Sequence, residues 1–115
     1  MAYGNTHRMA RISPTKVRPV IDLIRGKRAY EAESILELST KRAAVMIRRC
    51  LDAAMANAQY VDDLSQREVY DLVISEARVD QGPTMKRWQP KDRGRAHPIH
   101  KRTSHITLVL DKGKG

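Results

Sequence analysis

The chain has 115 residues, enough for one small domain, and 41% of them are apolar, with no Phe and an aromatic share of 4%. Its formal net charge of +9 favours a nucleic acid or another anionic surface as partner. The single cysteine excludes an internal disulfide, and no apolar run has the ~20 residues of a membrane span or resembles the apolar part of a signal peptide.

The basic residues fall into two blocks that flank an acidic middle segment. Residues 1–28 carry a net charge of +6, residues 29–85 a net charge of −4, and residues 86–102 a net charge of +6. Because the charges are segregated, we expect one cationic binding face and one face that is left in solvent.

The first predicted element is a helix that begins at Ser13-Pro14, since Ser suits an N-cap and Pro suits the first helical turn. Four apolar residues then follow helical spacing: Val17, Val20, Ile21 and Ile24. Gly26 stands where such a helix would end. Pro19 would break one internal hydrogen bond, so it predicts a kink or a late start.

Two further helices are predicted after this one. The first covers about residues 30–38, with Ala32, Ile35 and Leu36 facing inward. The second covers about residues 41–60, with Ser39-Thr40 as its cap. Its inward stripe is Ala44, Ile47, Leu51, Ala54, Met55 and Ala58, and Arg48, Arg49 and Asp52 are expected to point away. The many alanines predict a closely packed neighbour.

From Arg67 onward, β-forming residues without helical spacing replace the helical pattern: Val69, Tyr70, Leu72, Val73, Ile74 and Val79. The run 106–110 matches them, and if these two strands pair, the residues between them form a long hairpin. Ten residues per side would reach ~33 Å beyond the sheet. The sequence therefore predicts an α+β fold, in which three helices pack on a small antiparallel sheet with a long projecting basic β-hairpin. We expect a single domain with a globular body of about 1–80 and 104–115 and a hairpin of about 81–103.

The hairpin segment has almost nothing to bury. Residues 81–104 carry seven cations against the one acid Asp92, and their only large apolar residues are Met85, Trp88 and Ile99. The cations are Lys86, Arg87, Lys91, Arg93, Arg95, Lys101 and Arg102. Such a segment cannot offset its ordering entropy with core contacts, so an anionic polymer must supply the missing interactions. Lys86-Arg87 and Lys101-Arg102 place charge on both faces of the ribbon, which suits insertion between phosphates.

Several other residues of the sequence are candidates for binding or for shaping the hairpin. Gly82-Pro83, Pro90, Gly94 and Pro98 are expected to interrupt regular pairing, and Trp88 is a candidate platform for stacking a base. A second cationic set flanks the first helix and would contact phosphates without reading sequence: Arg8, Arg11, Lys16, Arg18, Arg25, Lys27 and Arg28. The alternative for both cationic sets is a solvated charged surface.

Other chemistries are less favoured by the residues present. His97, His100 and His105 have the spacing of metal ligands, but their cationic neighbours repel a metal ion, and contacts to RNA or plain exposure fit them better. Cys50 is expected to be a core or half-buried residue, since a catalytic thiol needs a partnered His. The sequence has no phosphate-binding glycine loop, carboxylate pair or nucleophile elbow, so we expect no enzyme, cofactor or small-molecule substrate. A DNA-compacting protein would need a dimer or a groove-reading helix, and the sequence carries no signature of a recognition helix.

The run GPTMKRWQPKDRGRAHPIHKRTSHITLVL closely resembles the hairpin of the bacterial family of the twenty-second large-subunit ribosomal protein. The stretches RISPTKVR, DLIRGK, and KRAAVMI with LDAAMANA resemble the N-terminal strand, first helix and long helix of that family. The resemblance implies a cytoplasmic protein of the large ribosomal subunit that binds ribosomal RNA. It also implies contacts with neighbouring ribosomal proteins and a role early in subunit assembly.

The resemblance further implies that the hairpin runs inward through ribosomal RNA and that its tip helps to line the nascent-peptide exit tunnel, beside the nascent polypeptide. The tunnel-proximal residues would be Met85, Lys86, Arg87, Trp88, Gln89, Pro90, Lys91, Asp92, Arg93, Gly94 and Arg95. The residues anchoring the return of the hairpin in RNA would be Lys101, Arg102, Thr103, Ser104 and His105.

Overall fold

The computed structural model describes residues 2–91 and 95–112, and within 85–91 and 95–101 it describes the backbone alone. The strands of this part of the chain are β1 Tyr3–Ala10, β2 Val73–Gln81, β3 Met85–Lys91, β4 Arg95–Lys101 and β5 Ser104–Asp111. Its helices are α1 Pro14–Ile24, α2 Ala29–Leu38, α3 Arg42–Asp62 and α4 Gln66–Tyr70. The predicted α+β class is confirmed, with α4 as an additional helix.

Strand β5 is the centre of a three-stranded antiparallel sheet with the order β1-β5-β2. Its residues Ile106, Leu108 and Leu110 are fully buried, whereas of the alternate residues Thr107 is 9% exposed and His105 and Val109 are only half-buried. This two-residue period places one face of the sheet against the helices and leaves the other face open. The predicted pairing of the strands on either side of the hairpin is confirmed, from Val73↔Asp111 to Gln81↔Ser104.

Helix α1 begins at Pro14, as predicted, and its four predicted apolar residues are all buried. The Ser13 side chain does not cap the helix, and its hydroxyl lies 3.2 Å from that of Thr15. Pro19 lies inside the helix on its exposed side, so the helix neither starts late nor ends there. Burial of the apolar stripe offsets the one hydrogen bond that proline cannot donate.

Helix α3 is the largest contributor to the core among the helices, and all six residues of its predicted stripe are buried. It packs on β1 and α2, which explains its many alanines. Two details differ from the prediction. Lys41, rather than Ser39-Thr40, is the N-cap. Arg48 is half-buried, with Nη2 4.0 Å from Glu33 Oε1, instead of pointing away.

The end of α3 is tied to the first strand of the sheet. The Tyr3 hydroxyl donates a hydrogen bond to the Asp62 carboxylate, and this bond, together with burial, raises the pKa of Tyr3 to about 12. The Asn57 side-chain amide donates to the Gly4 carbonyl at 3.0 Å. Strand β1 is therefore held by side chains of α3 as well as by its pairing with β5.

Two elements were not expected from the residue pattern. Val69 and Tyr70, which are predicted as strand residues, belong to the short helix α4. A capping box begins this helix. The Glu68 N–H donates to Ser65 Oγ at 3.3 Å, and the Ser65 N–H donates to Glu68 Oε1 at 3.4 Å. The N-terminal strand is Tyr3–Ala10, so the stretch RISPTKVR follows that strand and enters α1.

Strands β3 and β4 form a separate two-stranded sheet, and we call the predicted hairpin that contains it, about residues 81–103, the arm. Its seven residue pairs run without a register shift from Met85↔Lys101 to Lys91↔Arg95. The predicted interruptions at Pro90 and Pro98 are wrong, because both prolines lie within the ladder. They belong to pairs two apart, Trp88↔Pro98 and Pro90↔Ala96, and so stand at the same kind of position in the ladder. An antiparallel ladder accepts proline at alternate pairs, whose N–H groups face away from the partner. Gly94 lies outside the described residues.

The arm makes the molecule long. Its principal extents are 64 × 26 × 18 Å and its radius of gyration is 17.1 Å, whereas a compact domain of this length would have a radius of gyration of about 13 Å. Residues 82–84 and 102–103 connect β3 and β4 to the three-stranded sheet, so Gly82-Pro83 does interrupt the pairing, as predicted. The described apolar core lies outside the arm. We call the part of the chain that contains the four helices and strands β1, β2 and β5 the body.

Candidate RNA interface

The base of the arm is closed by hydrogen bonds inside the protein. Gly82 N–H donates to the Thr103 carbonyl at 2.9 Å, and the Thr103 hydroxyl donates to the Pro83 carbonyl at 2.6 Å. The Ser104 hydroxyl donates to the Ile12 carbonyl, also at 2.6 Å.

Thr103 and Ser104 are 1% and 0% exposed, and their hydroxyls are already bonded. The structure therefore gives these two residues an internal bracing role instead of the RNA contact expected of them. A buried hydroxyl without such a partner would destabilise the fold by about 1–3 kcal/mol.

This packing makes a prediction for Gly82. A Cβ at position 82 would lie 2.5 Å from Thr103 Oγ1, and Thr103 cannot turn away without giving up its bond to Pro83. Gly82→Ala is therefore expected to lower the free energy of unfolding by about 1–3 kcal/mol, measured by urea denaturation. Gly4→Ala is the matched control, since its Cβ would meet Val109 at an ordinary 3.5 Å. Equal effects of the two substitutions would contradict this account of the base.

The open face of the sheet carries mixed charge. Arg8 and His105 line a depression of about 490 Å³ there, together with Arg78 and Asp80. Arg78 is held by two carboxylates, at 3.2 Å from Glu76 and 3.4 Å from Asp80. His105 Nδ1 accepts a hydrogen bond from Met9 N–H at 3.0 Å, at a bulge where Met9 has a φ of 55°. His105 thus supports the strand irregularity, and Arg8 remains exposed at its side.

The cations around α1 fall into two groups. In the described part of the chain, five of them are exposed and have neither an ion pair nor a side-chain hydrogen bond: Arg8, Arg11, Lys16, Arg18 and Lys27. Arg25 instead donates to the Ala77 carbonyl, from Nη2 at 2.6 Å, and pairs with Asp22 at 2.7 Å. Arg28 Nη1 donates to the Asp71 carbonyl at 3.0 Å. Arg25 and Arg28 therefore brace the body, and the other five are free for a partner.

The order of the arm's cations along its axis follows from its register. Met85 and Lys86 begin the ladder beside the body, and Lys91 and Arg95 form its last pair. Seven pairs span roughly 24 Å at about 3.4 Å per residue, so Met85 lies at the base end and not at the tip. Trp88 pairs with Pro98 midway along the ladder, and Gln89 pairs with His97. Asp92, Arg93 and Gly94 lie outside the described residues, and Arg102 is exposed next to the base.

Cys50 is a structural residue of the core. Its thiol donates to the Asn5 carbonyl at 3.3 Å, and burial raises the pKa of the thiol, which keeps it protonated. Among the residues with described side chains, no three His, Cys, Asp or Glu residues cluster as metal ligands. Within the same part of the chain, no helix is long and apolar enough to cross a membrane.

The sequence matches a known family over most of its length. A family model described as "Ribosomal protein L22p/L17e" matches residues 5–111. Similar proteins include "Large ribosomal subunit protein uL22" of Staphylococcus aureus strains JH9, Newman and USA300. Each is 50% identical over 107 residues, which cover 93% of this chain and 89% of the relative. The chain therefore belongs to the ribosomal protein L22p/L17e family.

Proposed function

We propose that this chain is a structural protein of the large ribosomal subunit that binds ribosomal RNA in the cytoplasm. The observation that carries this proposal is the family match over residues 5–111, with relatives named as large-subunit proteins. The net charge of +9 supports an RNA partner, and so do the five cations around α1 with which no described residue pairs. The protein acts by binding and not by catalysis, and neighbouring ribosomal proteins are its other partners.

The arm is the second part of the proposal. The chain is one domain, whose body (about 1–80 and 104–115) stays near the subunit surface while its arm (about 81–103) enters the RNA and supports early assembly. Seven cations between Lys86 and Arg102 supply the phosphate contacts, and the 64 Å length of the molecule supports a reach away from the body. The far end of the arm, around Lys91 and Arg95, lies beside the nascent polypeptide in the exit tunnel.

Co-sedimentation tests the ribosomal assignment. The tagged chain is expressed in cells of its source, and the lysate is centrifuged through sucrose gradients at rising KCl concentration. We expect the chain in the large-subunit and whole-ribosome fractions, with retention through moderate salt, because many phosphate contacts must be released together. A chain that stays at the top of the gradient at low salt would exclude the ribosomal function.

A further inference from the structure

A groove lies where the beginning of α1 meets the beginning of α3. It has a volume of about 400 Å³, and Lys16, Lys41 and Arg42 line it together with Ile12, Thr15, Pro19 and Ala43. Lys16 belongs to the N-terminal basic block, whereas Lys41 and Arg42 belong to the segment 29–85, whose net charge is −4. The fold therefore assembles a cationic site from two segments of opposite net charge.

The three cations of this groove are exposed, and no described residue pairs with or hydrogen-bonds to their side chains. Elsewhere in the body, Arg25, Arg48 and Arg78 each lie within 4.0 Å of a carboxylate. Neither α1 nor α3 has an acidic residue in its first turn, and the lining of the groove includes no described Asp or Glu. Like charges around one groove repel each other, and an anion between them removes that repulsion.

We propose that the groove formed by Lys16, Lys41 and Arg42 binds backbone phosphate of ribosomal RNA, as a contact of the body that is separate from the arm. This inference rests on the proposed function. The described lining has no aromatic ring on which a base could stack, so the groove holds backbone and not base. The ammonium of Lys and the forked guanidinium of Arg both bind phosphate oxygens well. The N-terminal end of α3 adds to the positive potential of these side chains.

The function of such a contact is to fix orientation. Contacts along the arm act at a distance from much of the body, so a contact in the body itself adds to the constraint on its orientation. A phosphate held between α1 and α3 lies beside Ile12, whose carbonyl accepts the Ser104 hydroxyl at the base of the arm, and it provides an attachment in the body itself. Phosphate contacts of this kind set register and orientation without reading sequence.

The test uses the full-length chain, a transcript of the large-subunit RNA of its source, and filter binding at a series of KCl concentrations. Lys41→Gln/Arg42→Gln removes two of the three groove cations, keeps an unbranched polar side chain at each position, and preserves helix propensity at position 42. The log–log salt slope is expected to lose about 1.4–1.8 in magnitude, and binding near 0.1 M salt to weaken roughly tenfold. The matched control is Arg49→Gln/Arg67→Gln, which removes the same charge from two exposed residues outside the groove. It is expected to retain a slope close to that of the wild type.

A second measurement needs no substitution. In the wild-type complex, acetylation by a water-soluble reagent, read by mass spectrometry, is expected to be suppressed at Lys16 and Lys41 and to continue at the exposed Lys112. If the wild type binds RNA but the groove variant matches the control and both lysines stay reactive, the inference is wrong while the proposed function stands. If the wild-type chain shows no salt-dependent RNA binding, the proposed function itself fails.

Discussion

Replacement of residues 82–103 by an Asn-Gly turn is expected to leave a folded body and to weaken binding to large-subunit RNA on the order of a thousandfold near physiological salt. Gln81 and Ser104 are the last pair of the β2–β5 ladder, and Asn-Gly is the two-residue turn that best joins such strands. The described apolar core lies entirely outside the deleted segment. Filter binding measures the affinity, and circular dichroism with urea denaturation checks the body.

The loss is large because the deleted segment carries seven cations and one acid. Each phosphate contact contributes about 0.7–0.9 to the salt slope, so a fully engaged arm accounts for roughly 5–6 of it. A second variant separates charge from length: Lys86→Gln/Arg87→Gln/Lys101→Gln/Arg102→Gln keeps the arm and is expected to lower the slope by about 3. An armless protein with an unchanged slope would show that the arm does not bind RNA.

Leu108→Ala is expected to lower the free energy of unfolding by about 2–5 kcal/mol, a large share of the roughly 5–15 kcal/mol of a small domain. Leu108 is fully buried in the central strand, opposite Asn5 on one side and Ala77 on the other. Neighbouring strands on both sides prevent the cavity from collapsing. Urea denaturation measures the change.

The adjacent Val109→Ala is the control for this core substitution. Val109 is half-buried on the opposite face of the same strand, so its truncation is expected to cost about 1 kcal/mol. If both truncations cost the same, the sheet would not have one face against the helices and one face open. Neither variant is expected to change the salt slope of RNA binding, since neither alters a charge.

The sequence predicts those helices in which the spacing of the apolar residues determines which face is buried. The stripes of α1 and α3 are confirmed for that reason, even with Pro19 inside α1. The sequence does not predict helix α4, because Val69 and Tyr70 are β-forming residues, whereas the capping box of Ser65 and Glu68 decides the local structure. Strand β1 has no apolar alternation, and pairing with β5 together with side chains of α3 makes it a strand.

The candidate interface was only partly predictable. Cations are visible in the sequence, but their partners depend on the fold. Arg25 and Arg28 bond to carbonyls of Ala77 and Asp71, which are distant in the chain, and serve the body. Ser104 is buried, and its hydroxyl donates a hydrogen bond to the carbonyl of Ile12, which is 92 residues away in the chain. Lys16 is also distant in the chain from Lys41 and Arg42, so the composition of neither segment predicts that the three residues line one groove.

Photo-crosslinking from the middle of the arm tests the central claim, that the arm lies inside the RNA of the large subunit, most directly. The photoreactive residue p-benzoylphenylalanine replaces Trp88, which pairs with Pro98 in the arm, and assembled large subunits carrying the variant are irradiated. Crosslinks to large-subunit RNA, and to the nascent chain on translating ribosomes, are the predicted result. Incorporation of the protein with crosslinks confined to surface proteins, and none to RNA or nascent chain, would contradict the account.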